Sequence, residues 1–193
     1  MGVQVTGVIE LKKALRNLAP DLSKELNKEL GVALKPVIKE AKSFIPSPNS
    51  VLSGWLHEPK AGRFPYFDFA AAKSGIKYKT TPSRPNNNGF RSIVALINAS
   101  ASGAIFETAG RKNPQGQPWN RNSSSKKYSR SNNPNAGRDF IAAAEAISPL
   151  QGRKGDKGRA IGRALENNQG AALNGVMLAI QKTSAKFKER IAR

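Results

Sequence analysis

Three carboxylates, Glu107, Asp139 and Glu145, stand close enough along the chain to be weighed together as ligands for a Mg²⁺-dependent cleavage site. Their contexts read otherwise: a turn for Glu107, the positive end of a helix dipole for Asp139, and a surface position for Glu145. The only histidine, His57, sits beside Glu58 with no Cys or second His at metal-ligand spacing, so it reads as a surface or loop residue. With no cysteine, thiol catalysis and thiolate metal sites are absent. Gly152, Gly155, Gly158 and Gly162, interleaved with Lys154 and Lys157, superficially resemble a phosphate cradle. A P-loop needs Gly-Lys followed by Ser or Thr after a strand, and both are missing, so the stretch reads as a flexible basic linker. The chemistry-bearing residues thus describe a binding or building part with no catalytic, metal or cofactor site.

What remains is charge. Thirty-two Lys and Arg oppose thirteen Asp and Glu in 193 residues, a net +19 that recurs along the chain. A free protein gains nothing from that self-repulsion, whereas one abutting nucleic acid recovers it by displacing counterions from phosphates. No recognition helix, zinc finger or RNP pattern is present, and Trp119 and Tyr128 are too far apart for a stacking track, so the contact is expected to ignore base sequence. The Asn98-Ala99-Ser100 and Asn122-Ser123-Ser124 triplets match a glycosylation acceptor only by chance, since the opening residues are unlike a signal peptide. No apolar run approaches a membrane span, and synthesis in the cytoplasm is expected.

The elements that must carry this charge follow from apolar spacing. Val3 to Thr6 alternates as a brief edge strand, and Val8 to Leu18 is an amphipathic helix with Lys12, Lys13 and Arg16 on its polar side. Pro20 starts a second, long helix whose stripe of Leu22, Leu26, Leu30, Ala33, Leu34, Val37, Ala41 and Phe44 belongs to the core. It runs to about Ser43, with Pro36 kinking or locally breaking it. Residues 47–75 read as loop. Ile76 to Thr80 and Arg91 to Asn98 form an antiparallel hairpin across the turn-rich 82–89 stretch. Ala99 to Gly110 shows neither period, and a helix follows from Arg138 to about Ile147 with Phe140, Ile141 and Ala144 inward. The final helix carries Ile161, Leu165, Leu173, Val176, Met177, Ile180, Phe187 and Ile191 at near-helical spacing, with Gly170 and Gly175 marking a bend or a close helix contact. The fold class is therefore α+β: a small antiparallel sheet packed against a long N-terminal helix and C-terminal helices, with a long basic loop. That loop, residues 111–137, has six cations and no acid; Arg111, Lys112, Arg121, Lys126, Lys127 and Arg130 are candidates for DNA or subunit contact. Arg153, Lys154, Lys157, Arg159 and Arg163 form the second candidate set. A first domain is expected over 1–147 and a linker with helical extension over 148–193.

Several pieces in order resemble one family. The opening Val3-Gln4-Val5-Thr6-Gly7-Val8-Ile9-Glu10-Leu11 leads into a helix closing at Ala41-Lys42-Ser43-Phe44-Ile45-Pro46. Ser53-Gly54-Trp55, the strand at Ile93 to Ile97, Ile105-Phe106-Glu107-Thr108-Ala109-Gly110 and Arg138-Asp139-Phe140-Ile141 follow. Together they are similar to the tail-completion, or head-tail joining, proteins of long-tailed bacteriophages. The resemblance implies a structural subunit of the virion neck: a homo-oligomeric ring, hexameric or else dodecameric, between the head connector and the tail-terminator or tail-tube proteins. Double-stranded genomic DNA passes through it by unspecific contact, with no membrane involved. A rival class, a sequence-independent nucleic-acid-binding protein of nucleoid-associated type, would use the same charge without a ring.

Overall fold

The computed structural model describes residues 7–46, 67–85, 91–110, 136–151 and 158–192. The described residues form an α+β fold with six helices and one two-stranded antiparallel sheet in the order α1 (Val8–Leu18), α2 (Pro20–Ser43), α3 (Phe69–Gly75), β1 (Ile76–Lys79), β2 (Ala95–Asn98), α4 (Ala101–Thr108), α5 (Ala136–Ile147) and α6 (Ile161–Ile191). Two compact units share these elements: residues 1–38, 78–97 and 168–193 in the first, 39–77 and 98–167 in the second. Each unit takes chain from both sides of residue 147.

The first unit is built on the predicted leucine stripe. Leu22, Leu26 and Leu30 of α2 are buried together with Val8, Leu15 and Ala19 and with Ala179 and Ile180 of α6, while Leu11, Ile93, Val176 and Phe187 pack around them. The 4-residue spacing of the three leucines keeps them on one helix face, and replacing any one by alanine costs about 2–5 kcal/mol. α2 continues through Pro36, which removes only the backbone bond to the Val32 carbonyl. Inward positions on α6 follow expectation in part: Ile180 is buried and Val176 and Phe187 pack on the core, while Ala172 and Ala179 are also buried and Ile191 is 64% exposed. A Cβ built on Gly175 would lie 2.8 Å from Ala33 Cβ, too near for a bulkier side chain at that point. Gly175 therefore marks the expected helix contact. Gly170 meets nothing within 4 Å.

Polar ties lock the same pair. Arg190 forks onto Asp21 with two bonds of 2.8 Å, and Lys186 pairs with Glu25. Hydrogen bonding from Arg190 holds the Asp21 carboxyl at about 2, below the ordinary 3.8. A depressed carboxylate stabilises the fold above that ordinary value, and the contribution fades as pH falls through about 2. Lys12, expected on the polar side of α1, is instead buried. Its ammonium donates to the carbonyls of Thr80 (2.6 Å) and Ile93 (3.2 Å), which fastens α1 to the hairpin. Desolvation, then repulsion from Arg16, pulls its pKa below 10.5, so this group favours folding more as pH climbs toward that value.

In the second unit, Phe67, Phe106, Ala72 and Ile76 form a buried cluster in which Phe67 meets Phe69 edge-on at 4.8 Å and Phe106 at 5.9 Å. α3 falls within the stretch read as loop. Asp68 caps it, accepting from the Ala71 amide at 2.8 Å, and a run of alanines does the rest. The undecided Ala99 to Gly110 stretch is α4, capped by Ser100. Asn98 joins the two helices: it donates to Ala72 O and accepts from Ser100, seated between Gly75 and Gly103, where a Cβ would come within 2.4 and 2.1 Å of its amide. α5 begins two residues before Arg138, taking in Ala136 and Gly137 from the end of the expected basic loop; residues 111–135 lie outside the described residues. On it Ala144 is buried as expected and Ile141 is 38% exposed. The hairpin pairs fewer residues than the alternation covers, with β2 confined to Ala95–Asn98. The expected edge strand of Val3 to Thr6 lies outside the described residues.

The two α6 glycines separate propensity from packing. Gly170→Ala is expected to raise stability by about 1 kcal/mol, because nothing crowds the new methyl. Gly175→Ala is expected to lower it by about 1–3 kcal/mol, the overlap with Ala33 outweighing the same propensity gain. Urea unfolding of both variants against the parent measures the difference.

Candidate nucleic-acid interface

Of the eleven predicted contact residues, Arg111, Lys112, Arg121, Lys126, Lys127, Arg130, Arg153, Lys154 and Lys157 lie outside the described residues. Arg159 and Arg163 are described, and neither is a free surface cation. Arg159 is wholly buried and corrects its assignment as a DNA or subunit contact. Its Nη1 donates to the carbonyls of Phe106 (3.2 Å) and Ala109, at the C-terminal end of α4, and its Nη2 bonds Glu145 at 3.0 Å. A cation at the negative end of a helix dipole satisfies carbonyls that have no partner within the helix. Arg163 is half-buried, stacked 4.1 Å over the Phe44 ring, with Ser148 Oγ at 3.4 Å from Nη1.

Glu107 performs the converse task. It lies in α4 instead of a turn, is only 8% exposed, and its carboxylate accepts the amides of Ala160 (2.9 Å), Ile161 (3.0 Å) and Gly162 (2.8 Å). These are the leading N–H groups of α6, which point out of the helix and favour an anion. The phosphate-cradle likeness of the glycines around 152–162 thus ends in an anion site already filled by the chain's own carboxylate. Gly158 is required there, since a Cβ would fall 1.7 Å from Glu107 Oε1. Ser148 Oγ donates to Arg159 O at 2.7 Å, and Gln151 and Gly158 exchange both backbone bonds, bringing together the ends of the 152–157 stretch. Both Glu145 oxygens also accept from the Leu150 amide.

Of the three carboxylates weighed for catalysis, two are engaged by backbone and guanidinium, Glu107 by three amides and Glu145 by Arg159 and Leu150, and the side chain of Asp139 is not among those described. Among the described residues no group of three or more His, Cys, Asp or Glu is placed to hold a metal, and no helix is long and apolar enough to cross a membrane. Burial of Arg159 and Glu107 is invisible to composition. A signal was nevertheless present in the Gly158-Arg159-Ala160 sequence, where a glycine immediately ahead of a helix admits a close approach.

Surface charge is divided unequally. Among the described residues the first unit holds thirteen Lys and Arg against five Asp and Glu, the second seven against six. In the first unit every cation but Lys12 is exposed, and two of its acids, Asp21 and Glu25, are tied to Arg190 and Lys186. The surplus therefore sits on the unit formed by α1, the first part of α2, most of the hairpin and the last part of α6.

Glu107→Gln keeps the shape but presents an amide where three N–H groups need an acceptor, and Gly158→Ala drives a methyl into that carboxylate. Each is expected to cost about 3 kcal/mol, read by urea unfolding; a change below about 0.5 kcal/mol would refute the capping role. Comparisons with protein-family models, with curated proteins and with solved structures found no match for this chain.

Proposed function

We propose that the chain is a structural subunit of a bacteriophage neck, assembling into a closed ring between head connector and tail through which duplex DNA passes. The observation that carries this reading is the exposed cationic surplus of the first unit, where two of five acids are tied to α6 and the one buried lysine is tied to the hairpin. Such a surface is costly to a lone chain and favourable beside phosphate, where released counterions compensate the repulsion. Engagement of Glu107 and Glu145 in caps supports a building part over an enzyme, because these carboxylates hold helices together instead of facing a substrate. The Ile105 to Gly110 segment on which the family resemblance partly rests is also the segment that makes the reciprocal caps, so its residues have a reason to recur in a shared fold.

Native mass spectrometry and negative-stain imaging of the purified full chain test the ring. A closed assembly of six or twelve copies is expected. A single chain or dimer at all concentrations, binding duplex tightly, would contradict the neck reading and favour a nucleoid-associated role.

A further inference from the structure

Within the cationic unit one arrangement stands apart from scattered surface charge. Lys24, Lys28, Gly31 and Lys35 follow one another on α2 at spacings of four, three and four, which keeps them within a sector of about 60° on the helix. The three lysines are exposed and their row is about 16 Å long at 1.5 Å per residue. At Gly31 the row is filled from the hairpin: a Cβ there would lie 2.4 Å from Tyr78 Oη and 2.5 Å from Tyr78 Cζ, so the phenol end rests on the helix backbone. Tyr78 remains 40% exposed. The sequence Lys, Lys, Tyr, Lys along one face therefore comes from two elements and depends on a glycine.

Two features oppose reading this row as ordinary solvated surface. Lys24 and Lys28 are a like-charge i, i+4 pair, which weakens an isolated helix. The acids that would offset them, Asp21 and Glu25, are bonded to Arg190 and Lys186 of α6. The fold thus takes Asp21 and Glu25, two of the four acids of α2, to α6 and leaves positive charge on the row. Lysine is a flexible point charge suited to phosphate without geometric selectivity, and a tyrosine hydroxyl is a usual phosphate donor.

We propose that this row, Lys24, Lys28, Tyr78 and Lys35, is the face that meets the phosphates of double-stranded DNA, in place of the basic 111–130 segment. At 3.4 Å of duplex axis per phosphate of one strand, its length matches the axial rise of about five base pairs. The proposal rests on the reading that duplex DNA is the polyanion this chain accompanies.

The test uses the full chain and a labelled duplex of arbitrary sequence, with binding followed by fluorescence anisotropy across a NaCl series. Lys24→Gln/Lys28→Gln/Lys35→Gln is expected to flatten the slope of log affinity against log salt by about 2–3, at about 0.9 for each phosphate no longer neutralised, with affinity at about 0.1 M salt down tenfold or more. Relief of the lysine repulsion should leave the thermal midpoint unchanged or higher. A triple variant of Arg121, Lys126 and Lys127 to Gln is expected to alter the slope by less than about 1. Weakened binding confined to that second variant, or equal weakening in both, overturns the inference while leaving a DNA-conducting ring intact. No duplex binding by the parent at about 50 mM salt overturns both readings. Lysine-dependent binding to phosphatidylserine vesicles without duplex binding identifies a membrane partner and also overturns the proposal.

Discussion

Two buried side chains of opposite charge organise the second unit by exchanging helix ends. Glu107, in the last turn of α4, caps the start of α6, and Arg159, just ahead of α6, caps the end of α4. Each charge faces the dipole end of opposite sign, so the acid and the base are both stabilised where burial alone would penalise them. The exchange constrains much else. Gly158 has to lack a side chain, Gln151 and Gly158 must pair, and Glu145 must reach back from α5 to complete the guanidinium. A 31-residue helix with glycines at 162, 170 and 175 has modest intrinsic propensity, and an anchored first turn gives it a defined beginning.

The first unit relies on a different device. Its apolar stripe is conventional, but α2 and α6 come so close at Ala33 that a glycine is needed at Gly175, and the outer surface is held by ion pairs of modest individual weight. Those pairs matter more for where they put charge than for stability. By drawing Asp21 and Glu25 toward α6, they leave the exposed lysines of α2 without local compensation. Core packing thereby shapes the electrostatic surface.

Much of this architecture is legible in the residues. The leucine spacing of α2, the termination at Ser43, the hairpin and the last two helices follow from periodicity and proline placement, because these signals are local. Three things are not legible. α3 and α4 are short, alanine- and glycine-rich helices whose stability comes from Asp68 and Ser100 caps and from Asn98 wedged between Gly75 and Gly103, contacts made by tertiary structure. Lys12 looks like any polar-face lysine until the hairpin closes over it. Arg159 counts toward a basic cluster in the sequence, yet its backbone partners lie some fifty residues away, beyond the reach of any local pattern. The inward face of α6 is legible in part: Ile180, Val176 and Phe187 follow the apolar spacing, whereas the buried Ala172 and Ala179 carry too little apolar surface to signal themselves. The basic segments at 111–130 and 153–157 lie outside the described residues, and the described cationic surface is that of the first unit, of which the lysine row of α2 is one part.

The proposed neck role draws on three observations: carboxylates bound into helix ends, acids drawn aside by α6, and lysines left facing outward. The most direct measurement is electron microscopy of lysates from a phage that encodes this chain, comparing the intact genome with one in which its reading frame is interrupted. The account predicts DNA-filled heads and complete tails lying separate, rejoined when the chain is supplied in trans. Normal joined virions from the interrupted genome would contradict it.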